Sequence, residues 1–269
     1  MRQLYPALEP YRTGMLDVGD GNQIYYEICG NPNGKPALVL HGGPGSGCTP
    51  THRRFFDPDK YKIVLFDQRN CGRSLPHASD PGASLRLNTT EHLIEDMELL
   101  REHLEIKNWL IFGASWGTTL ALAYAEQSPE RVTEMVLNSV VTTTAEEVEW
   151  ITRGVGHYLP EDYKRFVEFL PEDKRSGNIA QAYSDILESG DGDMREEAAI
   201  RWCDWEDRHV FIGQEHHHDE RYDNPSFRMA FARIVTHYWS HAAWLGAMQL
   251  LDNATKLNGI PGVMIHGQK

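Results

Sequence analysis

Trp109-Leu110-Ile111-Phe112 runs into Gly113-Ala114-Ser115-Trp116-Gly117 and then into Thr118-Thr119-Leu120-Ala121-Leu122-Ala123-Tyr124-Ala125-Glu126. The first four residues are bulky and apolar, as in a strand buried on both faces. The last nine are rich in alanine and leucine and predict a helix over Thr118–Glu126. Between them, two glycines bracket a serine. Glycine lets the backbone make a sharp strand-to-helix turn that side chains would block. In that GxSxG context the serine hydroxyl stands up at the sheet edge, and the helix N-terminus behind it favours developing negative charge. Ser115 is therefore read as a nucleophile. The alternative is a structural serine in a tight turn.

Four more short apolar runs share the character of Trp109–Phe112. They are Ala37–Leu40, Ile63–Phe66, Met135–Leu137 and Val263–Ile265, each bounded by Gly, Pro, Asp or His. Met15–Val18 and Ile24–Ile28 flank Asp20-Gly21-Asn22 and read as a hairpin. Thr90–Leu104 carries Leu93, Ile94, Met97, Leu100 and Leu104 near a 3.6 period, which predicts a helix. Strands alternating with helices predict an α/β fold, a mostly parallel sheet with helices on both faces. From about Thr142 to Leu251 the strand signal stops. That segment is helical and holds Trp150, Trp202, Trp205, Trp239 and Trp244. It reads as a helical cap inserted over the C-terminal edge of the strands, where such sheets bind ligands. Singly, these tryptophans are expected to be packed core.

Two further motifs follow strands. His41-Gly42-Gly43-Pro44-Gly45 comes directly after Ala37–Leu40. Acyl transfer creates an oxyanion that needs two preorganised N–H donors. With this kind of elbow one donor belongs to the residue after the nucleophile, Trp116, and the other to a loop after an earlier strand. Gly43 is the candidate there, since it leaves room for substrate, and His41 is expected to order the loop. Asp67-Gln68-Arg69-Asn70-Cys71-Gly72-Arg73-Ser74 follows Ile63–Phe66. Its charges could line the site or brace loops, and bracing is favoured.

Composition narrows the setting. The chain of 269 residues has a formal net charge of −13, without the basic footprint expected of a nucleic-acid partner. An acidic surface also disfavours anionic lipid, and no apolar stretch is long enough to span a membrane. Cys29, Cys48, Cys71 and Cys203 lack CxxC spacing, which argues against a zinc site and fits a reducing compartment, so a cytoplasmic protein is expected. His216-His217-His218 has no accompanying metal pattern such as HExxH and is expected to be solvated in the polar loop Gly213–Asn224. No metal and no cofactor is expected. The sequence does not specify an oligomeric state.

Taken together, HGGPG, DQRNCGRS and GASWG followed by TLALAYA, in this order and spacing, resemble the proline iminopeptidase (prolyl aminopeptidase) family of α/β-hydrolases, from about Tyr11 onward. The resemblance implies a metal-independent serine peptidase that releases an N-terminal residue, typically proline, from short peptides. It implies residues 1–141 as the first part of the hydrolase core, 142–251 as the cap and 252–269 as the return to the sheet. It also assigns Glu206, in Trp202-Cys203-Asp204-Trp205-Glu206, to the substrate's α-ammonium group. Where the family has a second glutamate, in ARIExHYF, this chain has Val235 within Ala232-Arg233-Ile234-Val235-Thr236-His237-Tyr238-Trp239. An esterase or amidase without amine recognition is the alternative that Val235 leaves open. The family's catalytic Asp follows HGxx, and here His266-Gly267-Gln268-Lys269 closes the sequence. The chain is therefore expected to be a fragment lacking the family's Asp and His. The other alternative is a catalytically incomplete hydrolase-like protein.

Overall fold

The computed structural model describes residues 4–267. Seven strands form one sheet: β1 (Arg12–Asp17), β2 (Gln23–Gly30), β3 (Lys35–Leu40), β4 (Tyr61–Phe66), β5 (Trp109–Ala114), β6 (Val132–Asn138) and β7 (Gly262–Ile265). Their order is β1-β2-β4-β3-β5-β6-β7. β1 and β2 form the antiparallel hairpin, and β2 also runs antiparallel to β4. The remaining pairings are parallel, so the expected α/β-hydrolase type of sheet is observed. β3 and β4 bury four consecutive residues each, Ala37–Leu40 and Ile63–Phe66, as the apolar runs require. Cys29, Val39, Phe56, Ile63, Leu65 and Leu110 pack together in the core on the sheet.

α1 (Thr90–His103) starts at Thr89, whose hydroxyl accepts the His92 N–H. α2 (Trp116–Gln127) is buried along nearly its whole length, which its small and apolar residues permit. One strand departs from expectation. β7 was expected to be buried on both faces, but Val263, Met264 and Ile265 are all exposed. Among the described residues β7 pairs with β6.

The chain divides into two compact units. The sheet unit runs up to His77, resumes over Arg86–Thr142 and returns at Met248. The helical unit comprises Ala78–Leu85 and Thr143–Ala247, so its bounds differ from residues 142–251 at both ends. It contains α3 (Ala145–Thr152), α4 (Pro160–Glu168), α5 (Ile179–Ser189), α6 (Gly192–His209) and α7 (Pro225–Ser240). The short loop Ala78–Leu85 joins it because the buried Arg233 of α7 donates to the carbonyls of Ala78, Asp80 and Ala83, while Glu188 of α5 neutralises its charge. At the other end, α8 (Gln249–Asp252) lies against α2 in the sheet unit.

Of the five tryptophans between Thr142 and Leu251, Trp202, Trp205 and Trp239 are buried; Trp205 and Tyr183 stack on Phe166, and Trp202 meets Phe166 and Tyr183 edge-on, forming an aromatic core. Trp150 and Trp244 are exposed, contrary to a core role.

Candidate active site

Ser115 sits between the end of β5 and the start of α2 with φ 51° and ψ −124°. An L-residue rarely adopts that conformation, which costs of the order of 1–3 kcal/mol unless the surroundings enforce it. Here the enforcing contacts are on both sides. The Ser115 N–H donates to the Asn138 carbonyl at 2.9 Å, and the Ser115 carbonyl accepts from the Thr118 N–H and hydroxyl, each at 2.7 Å. The glycines are needed for closeness. A Cβ on Gly113 would lie 2.5 Å from the Gly117 carbonyl oxygen, and one on Gly117 would lie 2.2 Å from that of Leu40. Trp116 is the first helical residue of α2, so its N–H leaves the helix start rather than joining the intrahelical ladder. Among the described residues, no histidine hydrogen-bonds the Ser115 hydroxyl.

The HGGPG loop runs directly alongside. A Cβ on Gly42 would stand 3.3 Å from the Ser115 Cβ, and Gly43 has φ 110°, in the region that favours glycine. His41 is buried and acts as expected, ordering the loop. Its Nε2 accepts the Gln68 backbone N–H at 3.0 Å, and its Nδ1–H donates to the Gly42 carbonyl at 2.9 Å. That pattern assigns the neutral Nδ1–H tautomer. The Gln68 side chain donates to the His41 carbonyl at 3.1 Å and accepts the Trp116 indole N–H at 3.0 Å. The three motifs, far apart in sequence, are thus stitched together at buried hydrogen bonds.

The rest of the DQRNCGRS segment braces, as favoured. Asp67, fully buried, accepts the Cys48 N–H, the Arg73 N–H and the Arg73 guanidinium. Arg73 also reaches Glu27, which Arg53 grips at 2.7 and 3.1 Å. Burial pushes the Glu27 carboxyl up, but the two guanidiniums outweigh it and hold the pKa below the usual range. Arg69 pairs bidentately with Asp96, both buried. These contacts fix the loops at the strand ends.

In the helical unit, Glu206 lies on α6 with its side chain only 13% exposed. Burial raises its pKa, opposed by the neighbouring His209, 3.5 Å away, and by Trp202. A buried carboxylate of this kind gains from a cationic partner. Val235, on α7, is fully buried. In His216-His217-His218 the last two residues are exposed, as expected of a solvated loop, but the triplet is also tied to carboxylates. His216 Nε2 and His218 Nδ1 both donate to Asp207, at 2.9 and 2.8 Å, and His218 Nε2 donates to Asp223. Asp207 and Asp223 raise the His218 pKa to about 9. The loop is anchored rather than merely solvated, because Asp207 is a buried acceptor that must be satisfied. The sequence offers Asp207, with Asp204, only as a stand-in for the family's second glutamate; its pairing with the histidine loop is visible in the structure alone. Among the described residues no group of side chains is arranged to hold a metal ion.

The chain was compared with known proteins. A family model described as alpha/beta hydrolase fold matches residues 35–187. A Streptomyces coelicolor protein named "Probable proline iminopeptidase" is 52% identical over 98% of this chain and 82% of its own length. A Xylella fastidiosa proline iminopeptidase is 44% identical over 100% of this chain and 84% of its own. A Pseudomonas aeruginosa structure described provisionally as an epoxide hydrolase superimposes with a TM-score of 0.59, covering 100% of this chain and 82% of that one. At 20% identity that likeness concerns the fold alone. On sequence identity, coverage and fold, the chain belongs to the proline iminopeptidase family of α/β-hydrolases.

Proposed function

We propose that this chain is a serine aminopeptidase that releases an N-terminal proline, or a small apolar residue, from short peptides through an acyl-enzyme. The observation that carries the proposal is the backbone of Ser115, held at φ 51° in a glycine-bracketed strand-to-helix turn. Strain of that kind persists where function needs it. The names of the relatives at 52% and 44% identity support the choice of substrate.

In this proposal Ser115 Oγ bonds to the acyl carbon as its proton passes to the family's catalytic histidine. The N–H groups of Gly43 and Trp116 hold the tetrahedral oxyanion. The peptide C–N bond then breaks, the leaving amine takes a proton, and water hydrolyses the ester. Glu206 pairs with the substrate's α-ammonium group. The net negative charge favours such a cationic ligand over nucleic acid. The four cysteines are free thiols, which supports a cytoplasmic setting. Among the described residues no helix is long and apolar enough to cross a membrane.

Release of naphthylamine from proline-naphthylamide tests the proposal, with N-acetylproline-naphthylamide as the control. Preference for the free amine is the expected result. Equal rates on the two substrates would overturn amine recognition, and no turnover of either by protein that also carries the family's catalytic Asp and His would overturn the peptidase.

A further inference from the structure

We infer that Gln68 is the positioning residue that holds both oxyanion donors, and the inference rests on the serine-hydrolase reading above. Gln68 is buried and sits just past the end of β4, between the HGGPG loop and the elbow. Three of its hydrogen bonds join the loop to the elbow. Its backbone N–H donates to His41 Nε2, its side-chain amide donates to the His41 carbonyl, and its side-chain oxygen accepts the Trp116 indole N–H.

The consequence for Gly43 follows from peptide geometry. The Gln68 N–H occupies His41 Nε2, so the ring proton is on Nδ1 and donates to the Gly42 carbonyl. The Ser46 N–H donates to the same carbonyl at 3.2 Å. In a trans peptide the carbonyl and the following N–H point in opposite directions. Pinning the Gly42 carbonyl toward His41 therefore fixes the Gly43 N–H on the opposite side of that peptide. If the peptide rotated, the Gly42 carbonyl oxygen would take the place of the donor and repel an oxyanion. The consequence for Trp116 is more direct. Its indole is held on the Gln68 amide, and the same residue carries the second donor N–H at the head of α2. One side-chain amide thus fixes the spacing of two donors on separate loops.

The test uses Gln68→Met, which keeps the volume and loses both side-chain hydrogen bonds, and Gln68→Glu. Steady-state hydrolysis of proline-naphthylamide separates kcat from KM, and fluorophosphonate labelling of Ser115 reports whether the nucleophile works at all. Gln68→Met is expected to lower kcat about ten- to a hundredfold with KM within about threefold, since a misplacement of about 1 Å costs about a hundredfold. In the Gln68→Glu protein, activity relative to wild type should rise as pH falls. A protonated acid donates to the His41 carbonyl and still accepts the indole, whereas the carboxylate repels that carbonyl. The Trp116 indole N–H resonance, assigned with Trp116→Phe, should shift and exchange faster in Gln68→Met. Unchanged kcat, an unmoved indole resonance, or a loss shared equally by kcat, KM and melting temperature would overturn the inference. Protein that carries the family's catalytic Asp and His but fails to label at Ser115 would overturn the hydrolase reading itself, and the inference with it.

Discussion

The backbone N–H of Ser115 is hydrogen-bonded to the Asn138 carbonyl at 2.9 Å, which makes a residue at φ 51° an extension of the β5–β6 pairing. The sheet therefore imposes a conformation that serine by itself resists. Glycine accepts that conformation freely. Ser115→Gly is predicted to be more stable than Ser115→Ala by about 1 kcal/mol. Both variants should lose fluorophosphonate labelling. Urea unfolding and mass-spectrometric mapping check the two halves, and equal stability of the two variants would mean that the turn is not strained.

Glu206→Gln should separate amine recognition from general reactivity. A hydrogen bond to a charged group contributes about 1.5–3 kcal/mol, so kcat/KM on proline-naphthylamide is expected to fall about ten- to a hundredfold. Hydrolysis of p-nitrophenyl acetate should hold. Because burial raises the Glu206 pKa, amine binding should weaken on acidification at a higher pH than for an ordinary glutamate. Equal damage to both substrates would make Glu206 a structural residue.

Glu126, at the end of α2, is buried, and among the described residues neither carboxylate oxygen has a well-formed hydrogen bond. Burial pushes its pKa up to about 7, against the weaker opposing pull of Lys256 and Asn253. A carboxyl whose folded pKa lies above its unfolded value of 4.5 leaves stability unaffected at low pH, where both states are protonated. As pH rises from 4.5 towards 7, the unfolded chain ionises first and the native state loses stability, with the full penalty above that window. Glu126→Gln is therefore predicted to stabilise the protein by about 2–3 kcal/mol on the alkaline side and by almost nothing on the acid side. Denaturant unfolding on either side of the window measures this, and a gain independent of pH would contradict it.

The Arg69–Asp96 pair has side chains only 2% and 0% exposed. Asp96→Ala would strand a buried guanidinium, at a cost of about 3–5 kcal/mol. The double variant Arg69→Met with Asp96→Leu removes both charges and should recover most of that loss. Thermal unfolding of the three proteins decides it. A double variant as unstable as Asp96→Ala would show that the cost lies in packing rather than in the unpaired charge.

Local signals were enough for the sheet, because a strand buried on both faces must be a short apolar run and a serine elbow must have glycines around it. Ala37–Leu40, Ile63–Phe66 and Gly113–Gly117 state those requirements in a few consecutive residues. They also carry the family and the proposed nucleophile. What joins distant segments was not legible. That Gln68 meets both His41 and Trp116, that Asp207 anchors a histidine loop, and that Arg233 draws Ala78–Leu85 into the helical unit all depend on side chains separated by up to 155 residues. A buried polar group must find a partner, but its own sequence neighbourhood does not say which one, because the partner is chosen by whichever elements the packed fold brings within hydrogen-bond reach.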